Sequence, residues 1–264
     1  MSSEKKEVCR VCGNDSIYLF HGKILKNTRV NYFDCPSCEY VQTEHPYWIE
    51  EAYAEPINKS DTGILSRNLS NAKYVLSTLL ALGSFKSSIV DYAGGYGILV
   101  RMLRDYGIDA FWMDLYTENI FSKGFEYDKS SVLKSVNLIT AFEVFEHLVH
   151  PSGELNKMFS ISSNILLSTS LISKPAPNHN SWYYYGKDHG QHIGFFRART
   201  LEYLAKKHNK YLLSDGKSRH LFSEKPINLY LWRNLLRAKD IVPLIAKFFL
   251  ESKTLEDYEK IVKK

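Results

Sequence analysis

The chain of 264 residues has no cysteine after position 38. It has no run of 18 or more apolar residues. The nearest, Ile241 to Leu250, contains Pro243 and Lys247 and is too short to span a bilayer. Its opening residues, Met1-Ser-Ser-Glu-Lys-Lys-Glu, lack the apolar stretch that a secretory leader needs. These absences predict a soluble, cytoplasmic protein with no transmembrane segment. The G-x-G-x-x-G spacing is also missing, because Gly94, Gly95 and Gly97 do not fit it, which argues against a conventional dinucleotide oxidoreductase.

What is present is a globular composition: 44% apolar residues and 14% aromatics, including 18 tyrosines. The length can bury a sizeable core, so one main domain with a small appendage is expected. The net charge of +5 is uneven. Residues 196–264 hold 16 Lys/Arg against 8 Asp/Glu, which leaves the rest of the chain near −3. Such a basic end is either a solvated helical face or an attractor of an anionic substrate, a membrane surface or nucleic acid.

The four cysteines form two C-x-x-C pairs, Cys9/Cys12 and Cys35/Cys38, separated by 22 residues. Each pair sets two thiolates on one knuckle, and two knuckles complete a tetrahedron around zinc. A cytosolic setting argues against two disulfides. Four protein thiolates leave no open position, so the metal is expected to be structural. Residues 1–45 carry six Lys/Arg and six Asp/Glu, a balance poorly suited to phosphate binding. Residues 46–66 read as a linker and Arg67 to Leu82 as a helix, so 46–85 form one connecting segment.

From 86 to 224 strands and helices alternate. Strands are expected at 87–92, 109–114, 136–142, 164–169, 210–214 and 218–223, and helices at 97–106, 152–161 and 197–208. This implies a doubly wound parallel sheet, whose ligands bind at the carboxyl ends of the strands. Asp91, Asp114 and Glu143 all fall at such ends. Glycines follow Asp91 closely, so the backbone there can approach a ligand. An acid about 20 residues further on is placed to accept hydrogen bonds from two ribose hydroxyls. Residues 225–264 read as a helical tail that packs on the main domain, on a second subunit or on a membrane surface.

The loop D-Y-A-G-G-Y-G at 91–97, the acid Asp114 and the segment F-E-V-F-E-H-L at 142–148 resemble the class I S-adenosylmethionine-dependent methyltransferases. Ala93 stands where the usual motif has its first glycine, and Gly94 adds a glycine beside it. The resemblance implies a Rossmann-like, mostly parallel seven-stranded sheet with helices on both faces, beside the zinc ribbon and the helical tail. It implies S-adenosylmethionine held by Asp91, Gly94, Gly95, Gly97, Asp114, Leu115 and Glu143.

The segment W-Y-Y-Y-G-x-x-H-G-Q-H-x-x-F-F at 182–196 has neither helical nor strand periodicity. It resembles a subgroup of these methyltransferases from glycan and nucleotide-sugar biosynthesis that also carries an N-terminal four-cysteine segment. Tyr and Trp offer flat faces and polar tips suited to sugar rings, so Tyr184, Tyr185 and Gln191 are expected at the acceptor. An acceptor hydroxyl must lose its proton as the methyl bond forms, and a neutral histidine suits that task. The order of candidates is His192, His189, His147. The expected reaction is O-methylation of a nucleotide-activated sugar or glycan precursor. C-methylation of a keto-sugar nucleotide is the nearest rival. There the resemblance puts Gln191-His192 at the Glu-His positions and Phe195 where a tyrosine stands. A zinc-ribbon nucleic-acid protein and a non-catalytic scaffold are the readings of a different class.

Overall fold

The computed structural model describes residues 6–53, 61–83, 85–128 and 135–263; part of the expected linker, 54–60, lies outside them. The strands are β1 (Lys6–Val8), β2 (Asp15–Ile24), β3 (Thr28–Asp34), β4 (Val41–Thr43), β5 (Ser88–Tyr92), β6 (Asp109–Met113), β7 (Val136–Phe142), β8 (Ile165–Ser168), β9 (Gly194–Phe195), β10 (Tyr211–Ser214) and β11 (Arg219–Ser223). The helices are α1 (Ile49–Ala52), α2 (Ile64–Ala81), α3 (Ile98–Asp105), α4 (Pro151–Phe159), α5 (Ala198–Lys207), α6 (Leu229–Arg237), α7 (Val242–Ala246) and α8 (Thr254–Val262). Short 3-10 turns occupy Phe145–His147 and Tyr183–Tyr185. None of the helices described is long and apolar enough to cross a membrane.

The α/β sheet has the order β10-β11-β8-β7-β5-β6. It corrects the expectation of a mostly parallel seven-stranded sheet: among the described residues it has six strands and is mixed. β5 pairs in parallel with β6 and β7. Neighbours β10 and β11 are joined only by residues 215–218, a link far too short for a parallel crossover. No seventh strand is supplied among the described residues for two physical reasons. The chain after β11 is helical, starting at the Asn228 cap, whose side chain accepts the Leu231 amide. The strand that closes the aromatic loop, β9, joins a different sheet, with Val41 opposite Phe195 and Gln42 opposite Gly194.

The chain divides into two compact units. The first comprises Met1–Asn58, Glu143–Lys157 and Leu167–His220. Its antiparallel sheet runs β1-β2-β3-β4-β9. The core of this unit gathers Val30, Tyr32, Val41, Trp48, Tyr185, Ile193 and Phe195, so the aromatic loop is packed into the cysteine-bearing sheet. Trp48 Nε1 donates to the Gly190 carbonyl at 2.8 Å, fastening one end of that loop.

The second unit comprises Lys59–Phe142, Met158–Leu166 and Leu221–Lys264. Ala72, Val75, Leu76 and Leu79 line the buried face of α2 at helical spacing. The tail docks here: Trp232 of α6 is fully buried and its Nε1 donates to Thr78 Oγ1 at 3.2 Å. Arg104 of α3 is gripped by Asp257 of α8 through two bonds of 2.6 and 2.7 Å.

Candidate active site

The sequence-derived site residues fall into two groups. Asp91, Gly94, Gly95, Gly97, Asp114 and Leu115 belong to the second unit; Glu143, His147, Tyr184, Tyr185, His189, Gln191, His192 and the four cysteines belong to the first.

In the second unit, β5 ends at Tyr92 and the chain turns through three left-handed residues, Ala93 (φ 55), Gly95 (φ 54) and Gly97 (φ 83), before α3 begins. The position where the family motif has glycine does take the glycine conformation, although its residue is alanine. The turn is tied to β6 from three sides. Gly94 N–H donates to the Met113 carbonyl at 3.2 Å, and Trp112 Nε1 donates to the Gly95 carbonyl at 2.8 Å. Gly95 N–H donates to Asp114 Oδ2 at 2.9 Å.

Asp114 Oδ1 also accepts the amides of Tyr116 and Thr117, at 2.7 and 2.9 Å. An ionised carboxylate offers about four acceptor sites, so Oδ2 keeps room for about one more donor. The residues therefore fit a ribose hydroxyl, but one bond at Asp114 rather than the two that sequence spacing suggested. Leu115, beside it, is 77% exposed.

Asp91 is buried, and Thr140 Oγ1 donates to its Oδ1 at 2.6 Å. Burial raises its pKa to about 7, against the Thr140 bond and with some help from the Asp114 charge. Its other oxygen faces Gly94, where any Cβ would come within 2.9 Å of it. Asp91 thus braces the loop from inside. Thr140 and Trp112 carry much of this arrangement and were missed from sequence. Their only signals were a polar residue inside an apolar strand and an aromatic just before the acid.

In the first unit, Glu143 (φ 55) follows β7 and is exposed. Its amide donates to Ser168 Oγ at 2.8 Å, and that hydroxyl donates back to its carboxylate at 2.5 Å.

Three histidines meet edge to face in the same unit. His192 stands perpendicular to His147 at 4.8 Å between ring centres, and His189 lies 4.8 Å from His192. His192 Nδ1 lies 2.6 Å from the Tyr184 carbonyl. A carbonyl only accepts, so Nδ1 carries the proton and Nε2 the lone pair. His189 Nδ1 accepts the Gln191 amide at 3.1 Å, which fixes the opposite tautomer. His147 Nδ1 meets the Tyr53 hydroxyl at 2.9 Å. Burial pushes His192 down to about 4, reinforced by His189 and opposed by the Tyr184 carbonyl. Burial, then His192 and His189, drive His147 well below the usual imidazole range. All three rings are therefore neutral at pH 7.

Tyr184 is buried against His192, with ring centres 4.7 Å apart. Tyr185 is fully buried, and its hydroxyl donates to the Pro177 carbonyl at 2.9 Å. Gln191 Nε2 donates to the Ala52 carbonyl at 2.8 Å. Glu146, in the same segment as His147, is fully buried, and its pKa is raised to about 8 by burial and then by the Glu143 charge. Sequence reasoning gave Glu146 no role.

The four sulfur atoms of Cys9, Cys12, Cys35 and Cys38 lie within 4.8 Å of one another, and none is in a disulfide. The Cys9–Cys38 and Cys12–Cys35 separations are both 3.5 Å. Tetrahedral zinc with Zn–S of about 2.3 Å sets sulfurs about 3.8 Å apart. The two knuckles are built alike. Gly13 N–H donates to the Cys9 carbonyl at 2.9 Å, and Glu39 N–H to the Cys35 carbonyl at 2.8 Å. Both turn residues are left-handed, with φ of 80° and 60°. The cluster fits a closed metal centre.

A model of the family described as "Methyltransferase domain" matches residues 65–214. No curated protein matches the chain significantly. Among solved structures, it is similar to a Burkholderia thailandensis 1,6-didemethyltoxoflavin-N1-methyltransferase with bound S-adenosylhomocysteine. Identity is 11%, with 77% of this chain and 97% of that one covered, and the TM-score is 0.47. It is also similar to human N-acetylserotonin methyltransferase in complex with SAM, at 12% identity over 68% of this chain and 66% of that one, with a TM-score of 0.43. The Synechocystis magnesium protoporphyrin IX methyltransferase matches at 10% identity over 66% and 90%, with a TM-score of 0.42.

Proposed function

This chain belongs to the methyltransferase domain family and is an S-adenosylmethionine-dependent methyltransferase; we propose that its acceptor is a hydroxyl on a nucleotide-activated sugar or glycan precursor. The observation that carries the reading is the tautomer of His192. Its Nδ1 is held by the Tyr184 carbonyl at 2.6 Å, and burial keeps the ring neutral, so Nε2 has a free lone pair at working pH. S-adenosylmethionine, when bound, supplies the electrophilic methyl group. The chain's own residues do the rest. The glycine loop and Asp114 bind and orient the cofactor, with Asp114 Oδ2 taking a ribose hydroxyl. His192 Nε2 takes the proton that the acceptor oxygen loses as it bonds to the methyl carbon. The products are a methyl ether and S-adenosylhomocysteine. His189 has its proton on Nε2 and serves as a neighbour rather than as the base.

The aromatic segment around Tyr184 supports a sugar-like acceptor. Residue 195 is a phenylalanine, which offers no hydroxyl where the resemblance to sugar C-methyltransferases would put a tyrosine. The four cysteines of segment 1–45 are proposed to hold structural zinc; that segment shares a sheet and a compact unit with parts of the expected catalytic stretch 86–224, so the divisions 1–45, 46–85, 86–224 and 225–264 are stretches of sequence rather than separate bodies.

Calorimetric titration with S-adenosylhomocysteine, of the parent and of Asp114→Ala, tests the cofactor site. Micromolar binding by the parent, lost in the variant, is expected; a folded parent that binds none sinks the reading. Methyl transfer from labelled S-adenosylmethionine to a panel of nucleotide sugars then tests the acceptor. His192→Ala should lower kcat by about 10²–10⁴ with little change in cofactor affinity.

A further inference from the structure

We propose that Glu146, His147 and His192 form a site for a divalent transition-metal ion, and that an ion there withdraws His192 from proton transfer. One ligand atom from each of the three lies within 4.8 Å of the other two. Closing on an ion with bonds of about 2.1 Å requires each to move inward by about 1 Å or less. The independent observation is Glu146 itself. It is fully buried, and neither carboxylate oxygen meets a partner at full hydrogen-bonding geometry among the described residues; only the hydroxyls of Tyr184 and Thr169 approach it, more loosely. Burial disfavours the ionised form of such a group, and a bound cation is what would restore it.

The imidazoles are set up as ligands. His192 Nδ1 is bonded to the Tyr184 carbonyl and His147 Nδ1 to the Tyr53 hydroxyl, which leaves each Nε2 as the remaining donor; at His147 an ion would displace the hydrogen bond that the ring makes to the Gln191 backbone. Metal-bound histidines use their second nitrogen in this way, and the outer partner fixes the tautomer. Two imidazoles and one carboxylate suit zinc, iron, manganese or cobalt and leave coordination positions open. The donor set shares nothing with the four thiolates of the N-terminal knuckles.

One lone pair cannot hold a metal ion and accept a proton at once. An occupied site therefore opposes methyl transfer at His192; this half of the inference rests on the methyltransferase reading, whereas metal binding does not.

The test uses the full-length protein with its four-cysteine centre loaded with zinc, titrated with Zn2+ by calorimetry and with Co2+ by absorption. The expected result is one equivalent beyond the cysteine centre. Its cobalt form should show ligand-field bands without thiolate charge transfer. Glu146→Gln and His147→Ala should weaken that equivalent at least about tenfold. A parent that takes up no further equivalent overturns the proposal, and so does a Glu146→Gln protein that binds as tightly as the parent. If the variants do not fold by circular dichroism, the parent's stoichiometry and cobalt spectrum decide alone. Inhibition of methyl transfer should follow the same Zn2+ concentration dependence as binding. A protein that binds the extra ion but methylates no acceptor refutes the transfer reading and leaves the metal site standing.

Discussion

Gly97 is the residue on which the cofactor loop turns, and replacing it with alanine separates two costs. Gly97 sits at φ 83. A left-handed conformation costs a residue with a Cβ about 1–2 kcal/mol. The new Cβ would also overlap Ser122 Oγ and come within 2.5 Å of Asn119 Oδ1. Those two side chains are buried and bonded to each other: Asn119 Oδ1 accepts both the Ser122 hydroxyl at 2.8 Å and its amide at 3.0 Å. Forcing them apart leaves a buried polar group unpaired, at about 1–3 kcal/mol. Reduced freedom of the unfolded chain returns about 0.4–1 kcal/mol. The net expectation is a loss of about 2–4 kcal/mol.

Gly83 supplies the control. It has nearly the same φ, 86, but nothing lies within 4 Å of where its Cβ would be. Gly83→Ala should therefore cost only the conformational part, about 1 kcal/mol or less after the unfolded-state gain. Urea unfolding followed by far-ultraviolet circular dichroism reads both. With m of about 2–3 kcal/mol/M, the Gly97→Ala midpoint should fall by about 1 M or more, and affinity for S-adenosylhomocysteine should fall with it. Equal destabilisation of the two variants would refute the argument, because it would show that the Asn119–Ser122 pair yields without cost.

Asp257→Asn should destabilise the protein by about 3–5 kcal/mol, because the Arg104 and Asp257 side chains are only 4% and 2% exposed and the substitution leaves a buried guanidinium unpaired; unchanged amide exchange across α8 would contradict this. His220 is fully buried between Ser214 Oγ and the Thr169 carbonyl, and burial lowers its pKa to about 4. The unfolded chain then binds the proton more readily, so this contribution is present above about pH 6.5 and is lost as the pH falls toward 4, by up to about 3 kcal/mol. His220→Gln should flatten the pH dependence of unfolding in that window, and an identical slope would dismiss the effect. Elemental analysis should find zinc bound to the parent, and Cys38→Ser should lose one equivalent together with the amide protection of β1 to β4; a zinc-free protein with full protection there would refute a structural metal.

Much of the architecture was legible because it follows local periodicity. The strands expected at 87–92, 109–114 and 136–142 appear as β5, β6 and β7, and Arg67 to Leu82 falls within one turn of α2. Spacing also grouped the cysteines, since two C-x-x-C knuckles bring four sulfurs together in almost any small hairpin fold. What could not be read was partnership across the chain. Gly194 and Phe195 carry nothing that says they will pair with Gln42 and Val41, some 150 residues earlier. That one pairing draws the aromatic loop into the cysteine-bearing sheet.

Residue identity also proved a weaker guide than backbone conformation. Ala93 and Glu39 occupy left-handed positions where a motif would have glycine. Ala93 is exposed, and only its own φ makes the conformation costly. A penalty of about 1–2 kcal/mol is small beside a loop already fixed by Gly95, Trp112 and Asp114. A missing motif glycine therefore argues against the loop only when the rest of its bonds are missing too. The histidines show the converse. His147, His189 and His192 could be picked out from sequence, but their chemistry depends on which ring nitrogen meets a carbonyl and which meets an amide. His189 and His192 are three residues apart and hold opposite tautomers, because one accepts the Gln191 amide and the other donates to the Tyr184 carbonyl. Lone pairs are assigned by partners, and partners are set by the fold, so the base could be shortlisted from sequence but not chosen.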